Sequence, residues 1–583
     1  MALLVAAWSA PVAAAVVIQT DNAGLDAASQ QASAQLIATT LAALPPALAG
    51  QINVDVQLQW REDLPEHVAG RARGHRIGLD KRLLQALVAR PHDARAQRAA
   101  QAALLHELAH VVDRQARPRW SDDAQFLALA GWQARSFRPG HGVNTFAHRS
   151  PDAYERRRPA EHLAVNVEHY VLDPSYRCRR PAMARWLAAR LGELPQAAEC
   201  AAAMPLLQAE VATGGVALQW LDPARVYAVD YLLAEGNARL MSRWGHGMLR
   251  LVMCAPQRAP GSDCRKDVQH HLVLSFRAFV GDVQVSSWRG LTGGYPSRLF
   301  VLPLSQVVEE YTRVELRALS SLPLALGRQE IAALIERAAQ VHWSYDGRYY
   351  FLSNNCATEA ARLLAMAGPR LANAGVDALT PLGLGRGLRR AGLAGEVPAA
   401  REQAIAQGYY FPSAEADYAQ LLAVIQGESP GVIPVTGVEQ WLAARPEQRR
   451  QWTPAGVRAG AAAWVLERAA QRRWELRMLD VLKRAVVSGS ADGAAQAAMA
   501  TLLDDAQALA TPGQLLSAGY GLPQAQEYEQ LQHKVGELDG RGRKGWQQVH
   551  EQLDGLLAPA MKIERDGIQR NLELLGARIR QAS

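Results

Sequence analysis

The sequence predicts a multidomain α+β protein. Three observations carry that expectation. At 583 residues the chain exceeds what one hydrophobic core accommodates, so it should divide into domains. Helical periodicity and strand alternation occupy separate stretches of it, and a long, almost purely helical region closes it. Composition is that of an ordered globular protein, 49% hydrophobic and 20% charged. The formal net charge of +7 is spread thinly, which argues against a nucleic-acid partner and for weak attraction to anionic surfaces.

Taken in order, "MALLVAAWSAPVAAAVVIQTDNAG" reads as a secretory signal over 1–19, with small residues at Ala13 to Ala15 and no basic residue before the apolar run. No later stretch supplies eighteen uninterrupted apolar residues, so no membrane-spanning helix is expected. In an exported chain Cys178 with Cys200, and Cys254 with Cys264, are close enough in sequence to form local disulfides, which leaves Cys356 over. A first domain over 20–215 mixes short strands such as "INVDVQLQW" with long helices. Asp93 is a candidate N-cap and Pro118 follows the end of an uninterrupted run, which predicts one helix between them. Pro159 opens a second helix that ends before Pro174. From 225 to 305 the pattern alternates, as in "HLVLSFRAFVGDVQVSSW", and predicts antiparallel strands in a domain over 216–395. The region 396–583 is helical, with Ile568, Leu572, Leu575 and Ile579 spaced as a packing seam. Its arginine-rich faces fit a solvated bundle exterior better than a membrane surface, and Trp441, Trp452, Trp464 and Trp474 are expected in its core.

Two polar interruptions carry candidate chemistry. In "QAALLHELAHVVDRQ" His106 and His110 are four apart and share one helix face, so both imidazoles can reach a single ion. Glu107 beside them can act as general base on water, the HExxH arrangement of zinc peptidases. Burying these groups without a metal or other partners would cost several kcal/mol. Catalytic zinc needs a third protein ligand. "RRPAEHLAVNVEHYVLDP" resembles the downstream helix of gluzincin-like peptidases, which implies Glu161 as that ligand, with Glu168 on the same face as the alternative.

In "YYFLSNNCATEAARLLAMAG" the Ser and Asn residues suit a helix cap and place Cys356 in the first turn, where backbone N–H groups favour a thiolate. His246 in "LMSRWGHGMLRL" is the candidate base, and Asn355, Tyr350 or His271 could orient the imidazole or stabilise an oxyanion. Residues 230 to 367 resemble the Lnb N-terminal periplasmic domain family through "YLLAEGNARLMSRWGHGMLRL", "HHLVLSFRAFVGD", "LTGGYPSRLFVLPLSQVVEEYTRVELRAL" and "YYFLSNNCATEAARLLA" in that order. The resemblance implies a permuted papain or NlpC-like fold, Cys356 as nucleophile with His246 as base, and acyl transfer on envelope lipoproteins. The family's lipoprotein-modifying member is anchored by membrane helices, and this chain shows none.

The expectation is therefore an exported, periplasmic enzyme with a Cys–His site for acyl transfer or hydrolysis joined to a zinc-binding domain. Its partners would be an envelope lipoprotein, lipid or peptide, with peripheral contact to the membrane. Two alternatives stand beside it: zinc peptidase action as the main activity, and a scaffold whose sites have decayed.

Overall fold

The computed structural model describes residues 17–51, 55–134, 141–194, 198–210, 215–236, 244–278, 295–350, 354–428, 431, 433–487 and 508–582. Residues 1–16 of the expected signal, the expected alternation after 278 and the expected Gly-Gly turn at 293–294 lie outside them.

The chain forms two units. One comprises Met1–Ala201, Trp343–Tyr345 and Ala518–Gln526, and the other holds the remainder. In the first unit the elements are β1 (Ile18–Thr20), α1 (Ala27–Ala43), β2 (Val56–Arg61), β3 (Gly70–Arg73), β4 (Arg76–Asp80), α2 (Lys81–Ala89), α3 (Ala94–Gln115), α4 (Pro159–Leu172) and α5 (Pro181–Leu191). The sheet runs β1-β2-β4-β3, with β3 antiparallel at its edge. Ile18 and Gln19 pair with Val56 and Gln57, so the ordered domain begins before residue 20, inside the segment expected as signal. α3 is capped by Asp93, whose side chain accepts from the Arg95 N–H, and it packs Leu104, Leu105, Leu108 and Val112 into the core. α4 has Pro159 in its first turn and ends at Asp173. Tyr520, from the distant 518–526 segment, joins the same core and donates to Asp173.

The second unit is built on a larger sheet. Its strands are β5 (Met204–Glu210), β6 (Gly215–Leu221), β7 (Val226–Ala234), β8 (His246–Met253), β9 (Leu272–Ala278), β10 (Tyr295–Pro303) and β11 (Leu319–Pro323). Next come α6 (Arg328–Ser344), β12 (Gly347–Tyr349), α7 (Cys356–Ala365), α8 (Pro381–Arg390) and β13 (Tyr410–Phe411). The order is β13-β11-β7-β8-β9-β10-β5-β6, with β12 pairing β10. β5 contributes to this sheet through its pairing with β10, so the larger contact unit begins at Ala202, ahead of the boundary expected at 215. The tail contributes α9 (Glu415–Glu428), α10 (Val457–Val487), α11 (Ala525–Leu556) and α12 (Pro559–Ala582). Ile568 and Leu575 of the predicted seam are buried, and Leu572 and Ile579 half-buried. Trp441 and Trp474 lie in the core, whereas Trp464 is exposed. The disulfides are Cys178–Cys200 and Cys254–Cys264, and Cys356 is a free, buried thiol.

Candidate metal centre and thiol site

α3 and α4 pack side by side, and their facing polar residues converge. His106 Nε2 lies 3.1 Å and His110 Nε2 3.4 Å from Glu161 Oε2. Ligand atoms of the three residues all fall within 4.8 Å of one another, which suits a single cation. Glu168 takes a different place: its Oε1 sits 2.5 Å from His106 Nδ1, on the far side of the ring from Glu161. Two turns along α4 separate an ion-facing carboxylate from one that fixes the ring's orientation, so Glu168 is not the third ligand in this arrangement.

Burial disfavours the charged form of His106, but hydrogen bonds to Glu161 and Glu168 outweigh it and push the imidazole up to about 10. Hydrogen bonds to His106 and His110 hold Glu161 well below the usual carboxylate range. Glu107 is close enough to His106, His110 and Glu161 to interact with their charges and also reaches β3, where the Ala72 N–H donates to it. Its Oε2 is buried without a hydrogen-bond partner, and burial raises its pKa. An unpaired buried carboxylate oxygen beside two imidazoles is costly, and a bound ligand or water would relieve it. His106, His110 and Glu161 could therefore hold a single metal ion.

Close approach of β3 makes that placement specific. A Cβ on Gly70 would lie 2.9 Å from both Cγ and Oε1 of Glu107. Gly70→Ala is therefore expected to displace the carboxylate and lower kcat of any hydrolysis at this centre by roughly 10-fold or more, with zinc content unchanged. Parallel metal analysis and kinetics check it.

At the thiol site Cys356 is the first residue of α7, as expected. Asn355 caps the helix: its Oδ1 accepts from Ala357 and Thr358 N–H, and its Nδ2 donates to the Leu379 carbonyl at 2.8 Å. These bonds use its amide as the cap of the helix that carries Cys356. The sulfur receives hydrogen bonds from the Gly247 N–H and the Tyr349 hydroxyl, yet burial prevails and pushes the thiol up. The phenol at the sulfur is Tyr349, whereas Tyr350 bridges to Asn354 through its backbone. Tyr231 completes the wall, its ring filling the space a Cβ on Gly247 would need.

His246 is not in this cluster. Side chains alternate along β8, and the register with β7 and β9 puts His246, Met248, Ser275 and Arg277 on one face, and Leu249, Leu274 and Tyr231 on the other. His246 Nε2 is 3.0 Å from Ser275 Oγ and its ring stacks on Tyr311. Burial, reinforced by Arg277 and Arg317, holds it down at about 3. The sulfur lies on the opposite face, beside Tyr231, so the expected dyad is not assembled. His271 also serves elsewhere: it accepts from Arg250 and bonds the Cys264 carbonyl at 2.8 Å, just before β9.

The neutral histidines of this unit have a consequence for acid stability. Burial holds His271 and His342 down at about 4, with Arg250 adding to the effect at His271. Between about 6.5 and 4 the unfolded chain binds these protons and the folded chain does not. Stability is therefore complete above the unfolded value and falls with pH across that window, by on the order of 1–3 kcal/mol per histidine. Melting followed by circular dichroism from pH 7.5 to 4.5 should show a falling Tm; a flat profile would contradict the assignment.

With this geometry in view, comparison with known families separates the two units. Residues 17–120 and 113–200 match a domain of unknown function, DUF7844. A second model covers the strands and helices around Cys356. Residues 216–390 match the Lnb N-terminal periplasmic domain. The Lnb-type domain thus runs from β6 to the last residue of α8, and includes all four ordered segments over 230 to 367 that carried the resemblance. No curated protein and no solved structure matches the chain. Among the described residues no helix is long and apolar enough to cross a membrane.

Tyr349 and Tyr231 at the sulfur, and Gly70 beside Glu107, were not singled out from the sequence. Only Gly247 stood near a motif, next to His246 in "WGHGM", and a strand gives no local sign of which backbone N–H will meet a distant sulfur.

Proposed function

We propose that the first unit is a zinc-dependent hydrolase of amide bonds, acting on envelope peptides or lipoproteins in the periplasm. The observation that supports it is the convergence of His106, His110 and Glu161 next to the orphaned Oε2 of Glu107. The two imidazoles and Glu161 would hold the ion. Zinc bound there supplies a Lewis acid for the scissile carbonyl. Glu107 takes a proton from the attacking water and returns it to the leaving amine, so the carboxylate is regenerated each turnover. Glu168 keeps the His106 ring oriented through Nδ1. β3 lies at the sheet edge beside Glu107, and an extended peptide can add to such an edge through main-chain hydrogen bonds. The match to a periplasmic domain family and the two disulfides favour an oxidising compartment outside the cytoplasm.

A second reading keeps thiol acyl transfer at Cys356. It is favoured by the Lnb-type match and by the N–H and O–H donors around the sulfur. It requires a base other than His246 as placed, or a rearrangement that brings this imidazole to the sulfur's face.

Metal analysis with activity on a quenched-fluorescence peptide library tests both. The zinc reading expects stoichiometric zinc, its loss in His106→Ala and Glu161→Ala, chelator-sensitive cleavage, and a Cys356→Ser variant as active as the parent. Zinc-independent turnover abolished by Cys356→Ser would replace it with the thiol reading. Absence of both zinc and turnover would leave a scaffold.

A further inference from the structure

We propose that α8 and the turn before it form a docking surface for an anionic phospholipid bilayer. α8 is sharply two-sided. Pro381, Leu384, Gly385 and Leu388 are buried, whereas Leu382, Arg386, Arg389 and Arg390 form an exposed stripe at helical spacing. Leu379, just before the helix, is 62% exposed and Leu382 52%.

A single exposed leucine has no meaning on a protein surface. Two exposed leucines three residues apart in sequence, ahead of three exposed arginines, form the apolar-plus-basic pattern of a helix lying in a membrane interface. None of the three arginines has a carboxylate partner among the described residues. With Gly383 they line a shallow open recess. Guanidinium matches phosphate through paired N–H donors, and the leucines can enter the acyl boundary beside the headgroups. Charge complementarity therefore selects an anionic lipid surface as occupant, in place of the arginine-rich tail helices considered from sequence.

The surface is tied to the thiol site. The Leu379 carbonyl accepts from Asn355 Nδ2, the cap of the Cys356 helix, and the Pro381 carbonyl accepts from the Tyr231 hydroxyl at 2.9 Å. A bilayer seated on α8 would lie against the segment that borders Cys356. The inference rests on neither chemistry proposed above, since it concerns only exposed residues of α8.

Co-sedimentation of the full chain with vesicles tests it, using phosphatidylglycerol mixed equally with phosphatidylcholine against phosphatidylcholine alone. The parent should bind the anionic vesicles selectively and release them as salt rises. The triple variant R386E/R389E/R390E should weaken partitioning by roughly five-fold or more per arginine, and L379N/L382N should weaken it without removing the salt dependence. Should the charge reversal lower the melting temperature, R386Q/R389Q/R390Q gives the same reading with less disturbance. Equal binding to both vesicle types by the parent, or undiminished anionic binding by a folded triple variant or by the leucine variant, overturns the proposal.

Discussion

Glu107→Gln is expected to lower kcat for peptide cleavage by about 10²–10⁴-fold while leaving zinc content and KM near those of the parent. The reasoning is geometric. The carboxylate is buried on α3 between the imidazole pair and β3, and it belongs to neither the ligand triangle nor the bond that orients His106. Its amide isostere keeps shape and hydrogen-bonding capacity but cannot take a proton from water. His106→Ala and Glu161→Ala should instead lose the ion, so turnover disappears through a different route, visible in metal analysis. Glu168→Gln separates the third role: zinc should bind more weakly, by roughly 10–100-fold, because the His106 ring loses its anchor without losing its ligand atom. A Glu107→Gln enzyme with full kcat and bound zinc would remove Glu107 from the proton-transfer role.

These distinctions show which parts of the site are written locally. Asp93, Pro159 and the residues before Pro174 act within one turn of themselves, so both helices were legible with their ends. The pair His106 and His110 follows from helix period alone. Glu161 and Glu168 are seven apart on one face, and the period that brings both to the site does not say which nitrogen each will meet. Only the packing of α4 on α3 decides, sending Glu161 to Nε2 and Glu168 to Nδ1.

Strand parity explains the larger error at the thiol site. Cys356 was placed correctly because a cap is local, but His246 depends on the register of β8 against two neighbours. Since adjacent residues of a strand face opposite ways, one position separates the Gly247 N–H that reaches the sulfur from the His246 ring that reaches Ser275. The same parity replaces Tyr350 by Tyr349. β5 joins the larger sheet with no local sign of it in the sequence, since its partner β10 lies almost a hundred residues on.

The second unit should be most sensitive to Asp230→Asn, with an expected loss of about 3–5 kcal/mol and a fall in Tm of roughly 10 °C. Asp230 is fully buried on β7 and accepts both Arg265 guanidinium nitrogens, at 2.6 and 2.8 Å, together with the Ser321 hydroxyl at 2.7 Å. Arg250, equally buried on β8, lies 3.7 Å from it, and burial holds that guanidinium down at about 10 despite the carboxylate. One carboxylate thus serves two buried cations, and its conversion to an amide leaves both without a counter-charge in a place water cannot enter. Asp263→Asn supplies the control, because the Asp263–Lys266 pair is exposed and its loss should leave the Tm unchanged within error. The two variants remove the same charge on either side of the β8 strand in sequence, so a difference between their melting curves measures burial and not charge number. Equal, small effects would show that water or a rearranged partner reaches Arg250 and Arg265, and the sheet that positions Gly247 and Tyr231 around Cys356 would then owe its rigidity to apolar packing alone.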